Sequence, residues 1–214
     1  MVWCRAGKSR VARSWPAALL AAVPVLASVP PISAIQSPQA RDGNPEPVVV
    51  YLVRHAEKAE DGTDDPPLSL AGQIRVRVLR QLLSDAGLTH VYTTDWKRTR
   101  DTARPFAEAL GVEPTIYDPR QLELLAATIR GTPGTHFVAG HSNTTPMLVA
   151  ALGGSPFGPI DELEYDRLYI VVIHPGQPPV TTLLRFGEPY VEGSDFGLRA
   201  ERGSMRAPAS RQRN

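Results

Sequence analysis

Apolar runs alternate with amphipathic stretches between residues 48 and 186, and this alternation predicts an α/β domain. Residues 48–53 (Val-Val-Val-Tyr-Leu-Val) form a continuous apolar run rich in β-branched side chains, the pattern of a strand buried on both faces of a parallel sheet. Shorter apolar runs predict further strands at 90–94, 114–117 and 135–139, and a late hairpin at 168–173 and 180–186.

Helical spacing of apolar residues fills the segments between these strands. The first helix is expected to begin at the N-cap Ser69 and to continue to about Ala86. Its predicted buried stripe holds Ile74, Val78, Leu82, Leu79, Leu83 and Ala86, with Arg75, Arg77 and Arg80 outside it. Further helices are predicted at 98–110, 122–130 and 145–152, each followed by glycine. The alternation predicts three layers, with a mostly parallel central sheet and helices on both faces.

The two ends of the chain have a different character. The first 34 residues place four basic side chains before an alanine-rich apolar stretch and small residues, which is the pattern of a secretory signal peptide. That stretch is short and interrupted by prolines, so no stable membrane insertion is expected after its removal. We therefore predict an exported protein, periplasmic or secreted. Its parts are a signal peptide at 1–34, a linker at 35–47, one folded domain at 48–190 and a disordered basic tail at 191–214.

Composition removes several classes of function. Cys4 is the only cysteine and lies in the predicted signal peptide, which excludes a disulfide scaffold, a cysteine-rich zinc site and catalysis by a thiolate. The formal net charge is +1, so the strong positive field of a nucleic-acid-binding protein is missing and no nucleic-acid partner is expected. Oligomeric state stays open at this point.

Two predicted strands lead directly into histidine. His55 follows the first strand within Arg54-His55, and His141 follows the fourth within Gly140-His141. Because the carboxyl ends of parallel strands meet at one edge of a sheet, we expect both imidazoles at a single site. Arg54 and Arg98 are expected there too, since the planar guanidinium group suits a phosphate, although an ion pair with Glu57 or Asp95 is the alternative for Arg54.

The start of the fourth helix completes this predicted anion site. Ser142 and Asn143 follow His141 at a helix N-terminus, where free N–H groups favour a bound anion. A metal site is disfavoured, because no carboxylates stand at ligand spacing from the histidines and neighbouring arginines would repel a cation. We therefore expect no metal and no cofactor.

Several stretches, in order, resemble one family. Residues 50–58 (Val-Tyr-Leu-Val-Arg-His-Ala-Glu-Lys) resemble the signature of the histidine phosphatase superfamily, the phosphoglycerate-mutase-like group. Residues 67–73 resemble its Leu-Thr/Ser-x-x-Gly helix start, 97–103 its Arg-Ala-x-x-Thr-Ala segment, and 139–142 its second-histidine turn. The resemblance covers residues 48–187 and favours the phosphatase branch.

The resemblance implies a role for each matching residue. His55 would be the nucleophile that becomes phosphorylated, and Arg54, Arg98 and His141 would form the phosphate pocket. The expected activity is metal-independent hydrolysis of a small phosphorylated substrate. Imidazole must be neutral to attack phosphorus, whereas arginines and a protonated His141 would stabilise the charge of the transferring group.

The proton donor is less well defined by the resemblance. The family places a glutamate after the third strand, which makes Glu123 the first choice and Asp118 the second. Glu57 is expected to orient Arg54 or Lys58. The acidic segment 60–67 is interpreted as a flexible loop in preference to a lid. Two other functions stay open: a non-catalytic phosphate- or phosphosugar-binding domain, and a phosphoglycerate-mutase-type phosphotransferase.

Overall fold

The computed structural model describes residues 46–192. The predicted signal peptide, most of the predicted linker and nearly all of the predicted tail lie outside these residues. The strands are β1 (Val48–Arg54), β2 (His90–Thr93), β3 (Thr115–Ile116), β4 (Thr135–Gly140), β5 (Arg167–Ile173) and β6 (Val180–Arg185). The helices are α1 (Leu70–Leu82), α2 (Lys97–Leu110), α3 (Leu122–Gly131) and α4 (Thr144–Ala151). Within the described chain, no helix is both long and apolar enough to traverse a lipid bilayer.

A single mixed sheet joins the six strands in the order β3-β2-β4-β1-β5-β6. β3, β2, β4 and β1 run parallel to one another, whereas β5 pairs antiparallel with both β1 and the last strand, β6. Arg54 lies opposite Gly140, and Thr93 lies opposite Ala139. β1, β2 and β4 therefore end level with one another, so the residues that follow them come together at one edge.

Helices cover both faces of the sheet, which confirms the predicted three-layer α/β class. Val50, Leu52 and Val138 pack with buried residues of α3 and α4, whereas Val53 and Phe137 point to the opposite face and pack with α1 and α2. Successive strand residues face opposite layers, and both layers are apolar. Burial on both faces explains why the sequences of these strands are continuous hydrophobic runs.

Helix α1 buries only part of the predicted stripe, because Leu79 and Leu83 are buried as expected but other members are not. Ile74, Val78 and Leu82 are 47, 39 and 51% exposed, whereas Arg75 is only 7% exposed. The helix also ends at Leu82, one turn before the predicted end at Ala86. The prediction of one continuous apolar stripe, with Arg75 outside it, was therefore wrong.

Buried hydrogen bonds explain why Arg75 faces inward. Its Nε donates to Glu57 Oε1 at 2.8 Å, and its Nη2 lies 2.7 Å from the same oxygen. Nη1 and Nη2 also donate to the carbonyls of Phe186 and Glu188 at 2.8 and 3.0 Å. A buried guanidinium group is tolerated when its donors are paired in this way. Glu57 thus pairs with Arg75, which corrects the expectation that it orients Arg54 or Lys58.

The glycine of the helix-start motif has a steric purpose. Ser69 caps α1 by accepting a hydrogen bond from the Gly72 amide at 3.1 Å. A Cβ atom on Gly72 would lie 2.3 Å from the Glu57 carbonyl oxygen, which is far inside van der Waals contact. Position 72 therefore has to be glycine for α1 to approach the segment that follows β1.

We predict that Gly72→Ala lowers the free energy of unfolding by about 1–3 kcal/mol, the usual cost of forcing extra volume into a packed region. Urea denaturation followed by circular dichroism measures this change. Gly131→Ala is the matched control, because a Cβ there meets no atom within 4 Å and the residue belongs to helix α3. Equal stability of the two variants would contradict the proposed close approach.

Candidate active site

A cavity of about 320 Å³ lies at the carboxyl edge of β1, β2 and β4. The loop between α4 and β5 and the N-termini of α2 and α4 complete its wall. It is lined by Arg54, His55, Lys58, Trp96, Arg98, Pro119, His141, Ser142, Asn143, Thr144 and Glu162. The structure thus brings together the two histidines, the two arginines and the residues Ser142 and Asn143 that the sequence placed at one site.

The His55 imidazole is held in a single orientation. Its Nδ1–H donates to the Ala56 carbonyl at 2.7 Å, because a carbonyl oxygen can only accept. Nε2 then carries the lone pair, and the Arg98 Nε–H donates toward it at 3.3 Å. The Ala56 amide donates to Thr102 Oγ1 at 3.0 Å, which ties this turn to helix α2. Nε2 is therefore the ring nitrogen that carries the lone pair and no proton.

The surroundings of both imidazoles disfavour their protonated forms. Burial lowers the pKa of His55 well below its usual value, and the charges of Arg54, His141 and Arg98 act in the same direction. Burial, with the positive charges of Arg98 and Arg54, lowers the pKa of His141 to about 4. The two ring centroids lie 5.4 Å apart. The protonation of His141 that was expected beside a transferring phosphoryl group stays a prediction.

Arg54 is buried and fixed mainly by main-chain oxygens. Its Nη1 donates to the carbonyls of Asp161, Glu162 and Glu164 at 2.8, 2.6 and 3.2 Å. Its guanidinium carbon lies 4.1 Å from the ring centroid of Tyr165. The alternative partners considered from the sequence are not used, since Glu57 pairs with Arg75 and Asp95 with Arg100. The loop between α4 and β5 thus presents Arg54 to the cavity.

Arg98 lies in the first turn of α2 and has the acidic segment 60–67 beside it. Its Nη1 is 3.7 Å from Asp65 Oδ1, and its guanidinium carbon is 4.5 Å from the ring centroid of Trp96. Asp65 Oδ1 also accepts the Lys97 amide at 2.9 Å, at the start of the same helix. The Ala59 amide donates to the Pro67 carbonyl at 2.8 Å, closing the base of the segment. The segment predicted to be a flexible loop is therefore tied to the site at Asp65.

Glu162 supplies a carboxylate to the cavity wall that sequence reasoning missed. Its Oε2 lies 3.3 Å from Arg54 Nη2, and its Oε1 lies 3.6 Å from Lys58 Nζ. The Glu162 side chain is 66% exposed, so its ion pairs are weak and easily displaced. No motif marks this residue, because its proximity to Arg54 arises across 108 residues of sequence.

The start of α4 presents open donors to the cavity. Asn143 is the N-cap residue and makes no side-chain capping hydrogen bond, and Thr144 Oγ1 accepts the His141 amide at 2.9 Å. Free N–H groups and the helix dipole in the first turn favour a negative charge at this position. Ser142 and Asn143 thus line the cavity at this helix start, and their binding of an anion stays a prediction.

Residues 50–132 match the sequence profile of the histidine phosphatase superfamily (branch 1). Over these 83 of its 214 residues, the chain resembles that superfamily. It is similar to probable phosphoglycerate mutases named GpmB. The protein from Serratia proteamaculans is 46% identical over 81 residues, which are 35% of this chain and 37% of that protein. The protein from Yersinia enterocolitica is 33% identical over 90 residues, 39% of this chain and 41% of that protein.

Solved structures of histidine phosphatases share the fold over nearly their whole length. The protein histidine phosphatase SixA complexed with tungstate aligns with a TM-score of 0.53 and 17% identity, covering 64% of this chain and 96% of SixA. A mycobacterial glucosyl-3-phosphoglycerate phosphatase aligns with a TM-score of 0.51 and 14% identity, covering 66% and 99%. The curated mutases, in contrast, are matched over 37 to 41% of their length.

Neither of the two acids expected to donate a proton lines the cavity. Glu123 is exposed in the first turn of α3, outside the set of cavity residues. Asp118 accepts side-chain and backbone hydrogen bonds from Arg120, which lower its pKa to about 2 and keep the carboxyl group ionised. The assignment of Glu123, with Asp118 as second choice, stays a prediction, and the geometry gives it no support.

Titration of the two site histidines by NMR checks the electrostatic description. We expect the imidazole of His141 to protonate with a midpoint of about 4 and His55 to remain neutral well below its usual pKa. The urea-unfolded chain is the control, because its histidines should titrate near about pH 6.5. The free energy of unfolding that is linked to these two histidines is at its full value above about pH 6.5. It decreases as the pH falls toward the pKa values of the two imidazoles in the folded protein. A His141 midpoint near that of the unfolded chain would contradict this description.

Proposed function

We propose that this protein is a phosphomonoester hydrolase that acts through a phosphohistidine intermediate on His55. The observation that carries this proposal is the buried His55 imidazole, whose Nε2 lies 3.3 Å from Arg98 Nε in a cavity that Arg54 also lines. A nucleophile for phosphorus needs the lone pair of Nε2, and the transferring phosphoryl group needs the neighbouring positive charge. The N-terminal sequence pattern supports placing this activity outside the cytoplasm, in an exported protein.

The first half of the reaction transfers the phosphoryl group to the enzyme. The phosphoryl oxygens lie against Arg54, Arg98 and the first turn of α4, which stabilise the charge that spreads over them in the transition state. The bond between His55 Nε2 and phosphorus forms while the ester bond to the leaving oxygen breaks. The electron pair of that bond stays on the leaving oxygen, which takes up a proton. Positive charge comes from arginine side chains, so the proposed mechanism is metal-independent.

Hydrolysis of the phosphohistidine completes the cycle. A water molecule attacks phosphorus, the bond to Nε2 breaks, and the lone pair returns to the imidazole with release of inorganic phosphate. The cavity of about 320 Å³ supports a small phosphorylated substrate. Its charged wall of Arg54, Arg98 and Lys58, with Glu162 as the carboxylate in the lining, supports an anion as ligand.

A phosphoglycerate-mutase-type phosphotransferase is the second candidate. The 46% identity with a probable phosphoglycerate mutase over 81 residues favours it. A mutase keeps the phosphoryl group on the enzyme and returns it to an organic acceptor. Inclusion of glyceric acid as acceptor therefore separates the two functions, since a hydrolase releases inorganic phosphate at the same rate with or without it.

Acid quench after mixing with an activated aryl phosphate tests the intermediate directly. We expect a burst of acid-labile phosphate bound to the protein and located at His55. His55→Ala should abolish that labelling and lower the hydrolysis rate by about 10³-fold or more, as loss of a covalent nucleophile does in other enzymes.

His174→Ala serves as the matched control. His174 follows β5, whose last residue Ile173 pairs with Val48 at the opposite edge of the sheet from His55. Its removal should leave labelling and turnover unchanged. Turnover by the wild-type protein without any labelled histidine would reject the covalent mechanism, and the absence of both would favour a binding domain.

Glu162 competes with the substrate for Arg54 in this scheme. We predict that Glu162→Gln tightens the binding of vanadate by up to about fivefold, because an exposed ion pair contributes about 0–1 kcal/mol. Inhibition by vanadate, measured against an activated aryl phosphate, gives the affinity. Glu108→Gln is the control, since it removes an exposed acid from the last turn of α2, far along that helix from Arg98. Weaker vanadate binding in Glu162→Gln would mean that the carboxylate helps to hold the anion site in shape.

A further inference from the structure

Two buried hydroxyl groups lie behind His141, and the proposed chemistry does not use them directly. Thr94 follows β2 and Thr99 lies in the first turn of α2, and both residues are 0% exposed. His141 Nε2 lies 2.9 Å from Thr94 Oγ1, which lies 2.8 Å from Thr99 Oγ1. Thr99 stands where the family segment Arg-Ala-x-x-Thr-Ala has its first alanine. The second hydroxyl of this chain is therefore a departure from the segment it resembles.

The contacts of Thr99 give the chain of hydrogen bonds a direction. Thr99 Oγ1 lies 2.8 Å from the Trp96 carbonyl and 3.1 Å from the Thr94 carbonyl, and a carbonyl oxygen can only accept. The single hydroxyl proton of Thr99 is thus donated to the main chain, as is usual for threonine in a helix. Its oxygen must then accept the hydroxyl proton of Thr94.

The direction of these bonds determines the tautomer of His141. With its own proton donated to Thr99, Thr94 Oγ1 can only accept from His141, so Nε2 carries the ring proton. The other ring nitrogen, Nδ1, is then unprotonated. It has no hydrogen-bond partner among the described residues and is absent from the buried unpartnered atoms, and His141 lines the cavity. Nδ1 therefore faces the place where the anion would bind.

We propose that Thr99, acting through Thr94, holds His141 as the Nε2–H tautomer. The unprotonated Nδ1 then takes up one proton when an anion binds and shares that proton with a phosphoryl oxygen. The proposal rests on the proposed function, because it concerns how the same site receives its substrate. Thr94 and Thr99 are positioning residues, since neither lines the cavity. When an oxyanion enters the cavity, His141 Nδ1 takes one proton from solvent, and the resulting Nδ1–H donates a hydrogen bond to the oxyanion. The proton returns to solvent when phosphate leaves.

The tautomer is tested on the unliganded protein by NMR of the ring nitrogens. We expect His141 to show one protonated nitrogen, Nε2, in the wild-type protein. Thr99→Val keeps the shape of the side chain and removes the hydroxyl group, which frees Thr94 to donate to Nε2 and should populate the Nδ1–H tautomer. Thr99→Ser keeps the hydroxyl group and should restore the wild-type spectrum.

Proton uptake is tested with inorganic sulfate, whose charge stays constant over the range in which histidine titrates, about pH 5 to 8. Wild-type affinity for sulfate should rise by up to about tenfold per unit fall in pH, as one-proton linkage requires. Thr99→Val should bind sulfate about threefold to tenfold more weakly, the effect of one lost hydrogen bond. Its affinity should also change less steeply with pH, and Thr99→Ser should match the wild type.

Three results would overturn the proposal: an Nδ1–H tautomer in the wild-type protein, a Thr99→Val spectrum identical to wild type, or a sulfate affinity independent of pH. The first needs no variant, so a Thr99→Val protein that fails to fold leaves the test intact. None of these measurements depends on turnover. A protein that shows the expected tautomer and proton uptake but no phosphohistidine would contradict the proposed function and not this inference.

Discussion

The architecture of the site depends on keeping the His55 imidazole uncharged in a cavity that two guanidinium groups also line. Arg54 and Arg98 repel one another and repel a proton on His55, and burial strengthens both effects. The fold must therefore hold the two arginines in place without neutralising them. It does so for Arg54 with carbonyl oxygens and the face of Tyr165, which satisfy the guanidinium group while leaving its charge available to a ligand.

The loop that carries those carbonyls is itself braced by buried charges. Glu164 is almost completely buried, and its Oε1 accepts from Arg167 Nε at 2.7 Å and from Arg185 Nη1. Its Oε2 accepts the Asp161 amide at 3.1 Å, and Asp166 Oδ1 accepts from Arg185 at 2.6 Å. Loss of one member of such a network leaves an uncompensated buried charge, so the loop has few alternative conformations. Arg167 of β5 and Arg185 of β6 thus stabilise the loop whose carbonyl oxygens hold Arg54 in place.

Local sequence pattern was sufficient for the sheet and for the convergence of His55 and His141, because both follow from buried runs that end level in a parallel sheet. It was not sufficient for α1, where apolar residues on two sides of the helix fit either orientation. Partners distant in sequence decided the outcome, since Glu57 and the carbonyl of Phe186 draw Arg75 inward. Glu162 was missed for the same reason: an acid in a loop carries no periodicity, and only the tertiary fold places it beside Arg54.

The counter-ions of the two arginines explain how an anion can enter a site that already contains carboxylates. Asp65 lies 3.7 Å from Arg98, which is a long separation for an ion pair, and the mostly exposed Glu162 lies 3.3 Å from Arg54, where water screens the interaction. A phosphoryl group presents several oxygens to both arginines and to the first turn of α4 at once. Contacts between phosphoryl oxygens and the two arginines would then replace the longer ion pairs with Asp65 and Glu162. Because that exchange is possible only in the folded chain, the proposed binding of an oxyanion would also stabilise the protein against unfolding.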